Sequence, residues 1–310
     1  MKTAFLFSGQ GAQYTGMGQD LYETHEVMKQ TVAEASDILG YDLAAICFDE
    51  ANSDLLNQTE YTQPAILTIS VGLLRLLEAE VGKPDAVAGL SLGEYTALVA
   101  SGALSFADGV ALVAKRGAYM ANAAPQGTGK MVAVMNADPS LIEACCQKAS
   151  SLGIVAPANY NTPQQIVIGG AVAAVDQAVA LLTAQGVKRM IELKVSGPFH
   201  TALLKPAAEQ LKEALAAVNF DEMTIPVISN TTAQIMPKDA IKGLLQQQVM
   251  SPVRFYESVA TLKELGVQRA VEIGPGKTLS GFMKKIDKTI AMTRVEDAQT
   301  LADTIAVLKA

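Results

Sequence analysis

The chain has 310 residues, half of them hydrophobic and only 18% charged, with a mean hydropathy of +0.24. That composition excludes a disordered chain, and no window approaches the ~18 uninterrupted apolar residues that a membrane-spanning helix needs. Net charge is −7 with a pI near 5.0, and the basic stripe with interleaved aromatics that a nucleic-acid surface requires is missing. Three cysteines, Cys47, Cys145 and Cys146, cannot build a disulfide framework, and no CxxC or Cys/His cluster points to a metal. Buried reduced thiols, no metal and no redox cofactor are therefore expected. The apolar run Ala4–Phe7 is too short for a signal-peptide core, so a mature chain beginning near Met1 in the cytoplasm is expected.

In chain order, short apolar runs alternate with amphipathic stretches. The pattern predicts a strand over Thr3–Phe7 and a long helix over Tyr61–Glu80, entered through Thr59, Thr62 and Pro64. A short buried strand at Ala86–Leu90 precedes helices from Ser91 or Leu92 to about Ala100 and from Phe106 to about Ala121. This alternation argues for a mainly parallel sheet covered by helices. At Pro125-Gln126-Gly127-Thr128-Gly129 breakers accumulate and a different rhythm begins. It predicts a strand at Met131–Met135, a helix at Pro139–Ser150 with proline in its first turn, and strands at Ile154–Ala158 and Gln165–Ile168. A helix at Ala173–Gln185 and a strand at Lys188–Val195 complete it. The order β-α-β-β-α-β is that of a ferredoxin-like unit.

After Ser196-Gly197-Pro198 the first rhythm resumes. It predicts a helix at Leu203–Ala217, a strand at Ile225–Ser229, and helices at Lys238–Gln248 and Arg254–Leu265. A strand at Arg269–Ile273, a helix from Gly276 and a last one near Asp297–Leu308 follow. The expected fold is α/β: a hydrolase-like parallel-sheet domain, discontinuous over 1–125 and 196–310, with an inserted ferredoxin-like (βαββαβ) subdomain over 126–195.

The first candidate for chemistry is Gly89-Leu90-Ser91-Leu92-Gly93. A serine between a buried strand and a helix sits on a tight turn where flanking glycines avoid clashes, and the helix N-terminus offers N–H groups to a developing oxyanion. Chance alone gives about 0.09 such matches in a chain of this composition, and the competing reading is a plain helix-capping serine. A nucleophilic serine needs a base. Of the two histidines, His25 lies in a polar helical segment and reads as a surface residue. His200 lies in Gly197-Pro198-Phe199-His200-Thr201, after the serine in chain order as in α/β hydrolases. It is the expected base, although an isolated loop histidine is more often structural. The third member is open: Asp108, Asp138, Glu143, Asp176 and Glu192 are all possible, as is a backbone carbonyl.

Ser8-Gly9-Gln10-Gly11-Ala12-Gln13 follows a strand and has the look of an anion or oxyanion loop without GxGxxG spacing. Gly276-Lys277-Thr278 fails as a P-loop because Val271 stands where glycine is required, and Gly129-Lys130 fails likewise at Ala124. Arg116 falls in an apolar helical stretch, where it must pair with a carboxylate or snorkel; taken alone it reads as a helix-surface residue.

Five segments occur in order: Phe7-Ser8-Gly9-Gln10-Gly11-Ala12-Gln13, Thr62-Gln63-Pro64-Ala65, Gly89-Leu90-Ser91-Leu92-Gly93-Glu94, Gly197-Pro198-Phe199-His200 and Glu272-Ile273-Gly274-Pro275-Gly276. Together they resemble the malonyl-CoA:acyl carrier protein transacylases, stand-alone acyltransferases of type II fatty acid synthesis, over essentially the whole chain. One departure is Leu90, where many members carry histidine. The resemblance implies a malonyl-serine intermediate on Ser91, His200 as general base, and an oxyanion hole from the N–H groups of Gln10 and Leu92. It implies Arg116 as the partner of the malonyl carboxylate, Phe199 as a wall against branched acyl groups, and the backbone carbonyl of Gln248 as the group orienting His200.

Malonyl-CoA and an acidic acyl carrier protein are the implied partners, with CoA entering only as the departing half of a substrate. Because the chain is itself acidic, a local basic patch is needed for docking; Lys188-Arg189 and Lys284-Lys285 are the candidates. The alternatives are a serine hydrolase or thioesterase with the same Ser91 and His200, a discrete acyltransferase of polyketide synthesis, and a non-catalytic carrier-binding module.

Overall fold

The computed structural model describes residues 1–125, 127–193 and 197–310. Four parallel strands, β1 (Lys2–Phe7), β2 (Ala86–Gly89), β7 (Val267–Ile273) and β8 (Ala291–Val295), form one sheet in the order β2-β1-β7-β8. The strands β3 (Gly129–Met135), β4 (Val155–Thr162), β5 (Gln165–Ala171) and β6 (Arg189–Glu192) form a second, antiparallel sheet in the order β4-β5-β3-β6. With helices Pro139–Ala149 and Val172–Ala184 between its strands, the second sheet has the expected ferredoxin-like topology. The expected crossings between the two units fall at Gln126 and at Val195-Ser196, outside the described residues.

Side-chain alternation explains how the units join. Ala4 to Phe7 of β1 are all buried, as in a parallel strand covered on both faces. In β3, Met131, Ala133 and Met135 point into the large core, while Val132 and Val134 pack with Ile142, Cys145, Ala174 and Val175 of the small unit's own helices. The small sheet therefore has two buried faces, and its other side lies over the large unit. The edge strand β4 is covered by Val253, whose N–H donates to Ala158 (2.9 Å) and whose carbonyl accepts from Tyr160 (2.8 Å).

Three expectations are corrected. Ile225–Ser229 is not a strand of the sheet: Pro226 has no N–H to donate, and among the described residues the segment makes only single bridges, Val87 to Val227 and Ile228 to Ile235. The strand expected over Lys188–Val195 runs from Arg189 to Glu192, and Lys194 and Val195 lie outside the described residues. The helix expected from Ser91 or Leu92 begins at Gly93, because Ser91 is in the left-handed region at φ 54°. The edge strand β8 carried no readable signal, since only Val295 of its five residues is buried. Cys47, Cys145 and Cys146 are free and buried. Among the described residues no helix is long and apolar enough to cross a membrane, and no three His, Cys, Asp or Glu side chains gather as a metal site.

The turn after β2 depends on two close approaches. A Cβ on Gly89 would lie 2.0 Å from the Gly93 carbonyl carbon, and one on Gly93 would lie 2.2 Å from the Phe7 oxygen. Gly93→Ala must therefore push β1 and the turn apart, at a cost of about 1–3 kcal/mol or more. Urea unfolding should show a lowered midpoint, whereas the same change at exposed Gly243, which meets nothing, should leave the midpoint unchanged or raise it.

Candidate active site

The loops that leave the carboxyl ends of β1, β2 and β7 meet the underside of the small sheet around a cleft of about 600 Å³, the usual place for a site in an open parallel sheet. Gly9 to Gln13 come from the loop after β1, Leu90 and Ser91 from the turn after β2, and Thr278, Leu279 and Phe282 from the helix Thr278–Ile286 after β7. Met131, Asn159, Asn161, Gln165 and Val167 of the small sheet close it, and Phe199 and His200 line it as well.

Ser91 does not cap the following helix, whose N-cap is Leu92 without a side-chain bond. Its Oγ instead lies 2.7 Å from His200 Nε2. His200 Nδ1 lies 2.8 Å from the Gln248 backbone oxygen. A carbonyl only accepts, so Nδ1 carries the proton and Nε2 presents its lone pair to the serine hydroxyl. None of the acids considered as a third member reaches the imidazole. Asp138 caps the helix Pro139–Ala149, Ser105 bonds Asp108, Tyr160 bonds Glu143, and Lys130 holds Asp176 and Glu192. His25 lies between the helices Gln19–Thr24 and Glu26–Leu39, beside Thr24 Oγ1 and away from the cleft-lining residues.

Arg116 is 1% exposed and stands among the largest fully buried side chains of the described residues. This corrects the base-rate reading of a surface arginine. It sits behind Ser91 rather than among the lining residues of the cleft. Its Nη2 donates to Ser91 Oγ (3.1 Å) and to Gln248 Oε1 (2.9 Å), and its Nη1 donates to Gln63 Oε1 (2.7 Å). The guanidinium lies 5.3 Å from the Tyr95 ring centroid. All three hydrogen-bond partners are neutral, and Nε has no partner among the described residues. A buried cation so held keeps donors and charge available for an anion.

The N–H groups of Gln10 and Leu92 donate to no acceptor among the described residues, whereas the Ser91 N–H is taken by Asn230 Oδ1 at 2.7 Å. Gly9 allows the first loop to reach the turn: a Cβ there would meet the Leu90 oxygen at 2.3 Å. Phe199 is buried beside His200. Lys188 and Arg189 are exposed on the small unit, as are Lys284 and Lys285 in the last turn of Thr278–Ile286.

Sequence reasoning assigned no role to Gln63, Glu94 or Asn230. Gln63 and Glu94 stood inside quoted motifs, and a polar side chain in an otherwise apolar helical run was the available signal. Asn230 had none. Gln63 links Arg116 to the first loop through Gln10 Oε1 (3.5 Å). Glu94 is fully buried and accepts from the Asn230 N–H (3.2 Å) and from the Gln248 side-chain amide. Burial pushes its carboxyl up to about 7 against those hydrogen bonds and the Arg116 charge.

Burial, and then the nearby Arg116 charge, push His200 down to about 4, against the pull of the Gln248 carbonyl. The imidazole is thus neutral throughout the physiological range and always free to accept a proton, although it is a weaker base than an ordinary histidine.

A strained serine at the end of a parallel strand, hydrogen-bonded to a histidine and backed by a buried arginine, is the arrangement of a serine acyl-transfer centre on an α/β sheet. Comparison with known proteins narrows the class. The acyl transferase domain family matches residues 4–302. The malonyl CoA-acyl carrier protein transacylase of Bacillus subtilis (strain 168) is 45% identical over 310 residues, spanning 99% of this chain and 98% of its own. The crystal structure of MCAT from Streptococcus pneumoniae superposes with a TM-score of 0.96 at 58% identity, covering 99% of this chain and all of that one. A malonyl-transacylase solved with its type II PKS acyl-carrier protein superposes with a TM-score of 0.95 at 40% identity over 99% of this chain and 100% of that chain. The chain belongs to the acyl transferase domain family, among the malonyl CoA-acyl carrier protein transacylases.

The pH dependence of serine acylation follows from the histidine. An ordinary histidine would lose base function below about 6.5. Here kcat/KM for acylation should stay level through that region and fall only as pH approaches about 4. A half-maximal point near 6.5 in the rate profile would contradict the neutral, buried imidazole.

Proposed function

We propose that this protein transfers the malonyl group of malonyl-CoA to the phosphopantetheine thiol of an acyl carrier protein through a malonyl ester on Ser91, supplying fatty acid elongation. The observation that carries the proposal is Arg116: a buried guanidinium, 3.1 Å from the serine oxygen, which among the described residues has only neutral hydrogen-bond partners and no partner for Nε. A simple esterase has no use for such a cation. A substrate whose acyl group ends in a carboxylate would meet it with a bidentate, charge-assisted contact that also fixes the thioester beside the serine.

In the first half-reaction His200 Nε2 removes the Ser91 proton as Oγ attacks the thioester carbon. The carbonyl oxygen becomes an oxyanion facing the N–H groups of Gln10 and Leu92. Collapse breaks the C–S bond, and the proton on His200 passes to the departing CoA sulfur. Burial and Arg116 disfavour the imidazolium, which hastens that second transfer, while the Gln248 carbonyl keeps the ring aligned. In the second half-reaction the carrier thiol gives its proton to His200 and attacks the ester carbon; collapse breaks the C–Oγ bond, and His200 returns the proton to Ser91 Oγ. Two half-reactions sharing one serine make the kinetics ping-pong. No cofactor enters, since CoA is part of the donor. Phe199, walling the cleft beside His200, is assigned to crowd a branch on the central carbon of the acyl group.

An acidic carrier protein is assigned to dock at Lys188-Arg189 and Lys284-Lys285. All four are exposed, and they belong to segments adjoining cleft residues: Leu193 follows the first pair, and Thr278, Leu279 and Phe282 precede the second in the same helix. The free, buried thiols favour a reducing compartment, and the reaction is assigned to the cytoplasm.

Intact-protein mass after brief mixing with malonyl-CoA tests the core of the proposal. One added malonyl group is expected, absent with acetyl-CoA and absent in Ser91→Ala. Arg116→Ala should lose malonyl loading by roughly 100-fold or more, given what a charge-assisted contact contributes. Rapid release of free malonate without an adduct would instead identify a thioesterase. For docking, reversing the charge of Lys188 and Arg189 together should raise KM for the carrier protein and leave KM for malonyl-CoA unchanged; equal transfer at every carrier concentration would remove those residues from the interface.

A further inference from the structure

We propose that Asn230 is a positioning residue for the nucleophile: its carboxamide clamps the turn that carries Ser91 and reserves the next N–H, that of Leu92, as the turn's free donor. The inference rests on Ser91 being the acyl acceptor of the proposed reaction.

Asn230 lies 139 positions beyond Ser91 in the chain, on the turn after the segment that bridges to β2, and is 1% exposed. Its Oδ1 accepts the Ser91 N–H at 2.7 Å, and its Nδ2 donates to the Gly89 oxygen at 2.7 Å. One rigid planar group thus spans the entry and the apex of the turn. The other atoms of Asn230 are equally committed. Its N–H donates to Glu94 Oε1 (3.2 Å), its carbonyl accepts from the Arg254 N–H (2.9 Å), and Gln248 Nε2 reaches Oδ1 at 3.3 Å. Glu94, two positions after Leu92, therefore ties the first turn of its helix to Asn230 as well. Gln248 Nε2 also donates to the Ser91 oxygen at 2.9 Å, so side chains from distant segments hold both backbone polar groups of the nucleophile.

That grip bears on chemistry because Ser91 is held at φ 54°, a region an L-residue occupies at a cost of about 1–3 kcal/mol. Released from it, the serine would swing its Oγ away from His200, and its N–H would compete with that of Leu92 for nearby acceptors. The residue type is specified. A carboxamide accepts on one side and donates on the other, whereas an aspartate would place a lone pair against the Gly89 carbonyl. Alanine would leave the Ser91 N–H and the Gly89 carbonyl buried without partners.

The test compares wild type, Asn230→Asp and Asn230→Ala by rapid-quench intact mass over a range of malonyl-CoA concentrations. The expected result is a saturating acylation rate lowered by roughly 100-fold, as for a displaced reacting group, at an unchanged half-saturating concentration and with the same final fraction of labelled protein. Mere damage to the fold would lower the labelled fraction and leave the rate of the remainder intact, and that outcome would overturn the proposal, as would variants that load as fast as wild type. Amide hydrogen exchange on the unaltered protein supplies a readout that no variant can spoil. The Ser91 amide should be protected and the Leu92 amide should exchange faster; equal exchange rates would also overturn the clamp. Absence of a malonyl group on wild-type Ser91 would instead defeat the functional proposal, leaving the exchange pattern to judge the clamp.

Discussion

Ser91 and His200 both sit at positive φ, at 54° and 60°, where a non-glycine residue stays only if its surroundings leave it no alternative. Much of the large unit serves to remove those alternatives. Gly89 and Gly93 let the turn close against β1, and Gly9 lets the neighbouring loop lie on the Leu90 carbonyl. On the histidine side, the Val249 carbonyl takes the His200 N–H at 3.2 Å, and the Gln248 carbonyl takes Nδ1. The two strained residues are thereby pressed toward each other, and their 2.7 Å contact is a property of the whole sheet edge rather than of either loop.

The second organising element is a buried charge that makes no direct ion pair among the described residues. A buried arginine without a paired carboxylate is costly in isolation; here Gln63, Gln248, Ser91 and the Tyr95 ring share it. Gln248 joins two functions in one residue. Its main chain orients the histidine while its side chain holds the arginine, so a displacement at the recognition cation is felt at the base. The same charge depresses His200 and partly offsets the desolvation of Glu94. Substrate recognition and proton transfer in the proposed reaction thus draw on a single electrostatic network.

The small unit contributes enclosure. Its sheet presents Met131 and Val167 to the cleft, with Asn159 and Asn161 beside them, and an acyl-serine waiting for a thiol must be kept from water. Joining the units through backbone hydrogen bonds at Val253, five residues past Gln248, couples the cleft's roof to the segment that aligns the histidine.

Much of the fold is legible in the sequence alone. Period-two and helical patterning set out both units, because burial on two faces of β1 and β3 leaves an unbroken apolar run, and Gly89-Leu90-Ser91-Leu92-Gly93 announced a turn that only glycines allow. The scarcity of histidine directed attention to His200. The pattern failed where no apolar face marks the element, as at the edge strand β8, and where Pro226 breaks a run that otherwise reads as strand. It was silent on the buried network. Arg116, Gln63 and Glu94 stand out locally as polar residues in apolar helical runs, but nothing near them in the chain names their partners, and Asn230 carries no local signal at all. Chain order determined the elements and the turn chemistry, since those depend on neighbours within a few residues. Which carbonyl faces the histidine, and which side chain holds the serine's N–H, were decided only by packing, because hydrogen bonds between residues 48 and 139 positions apart exist only once the sheet has brought them together.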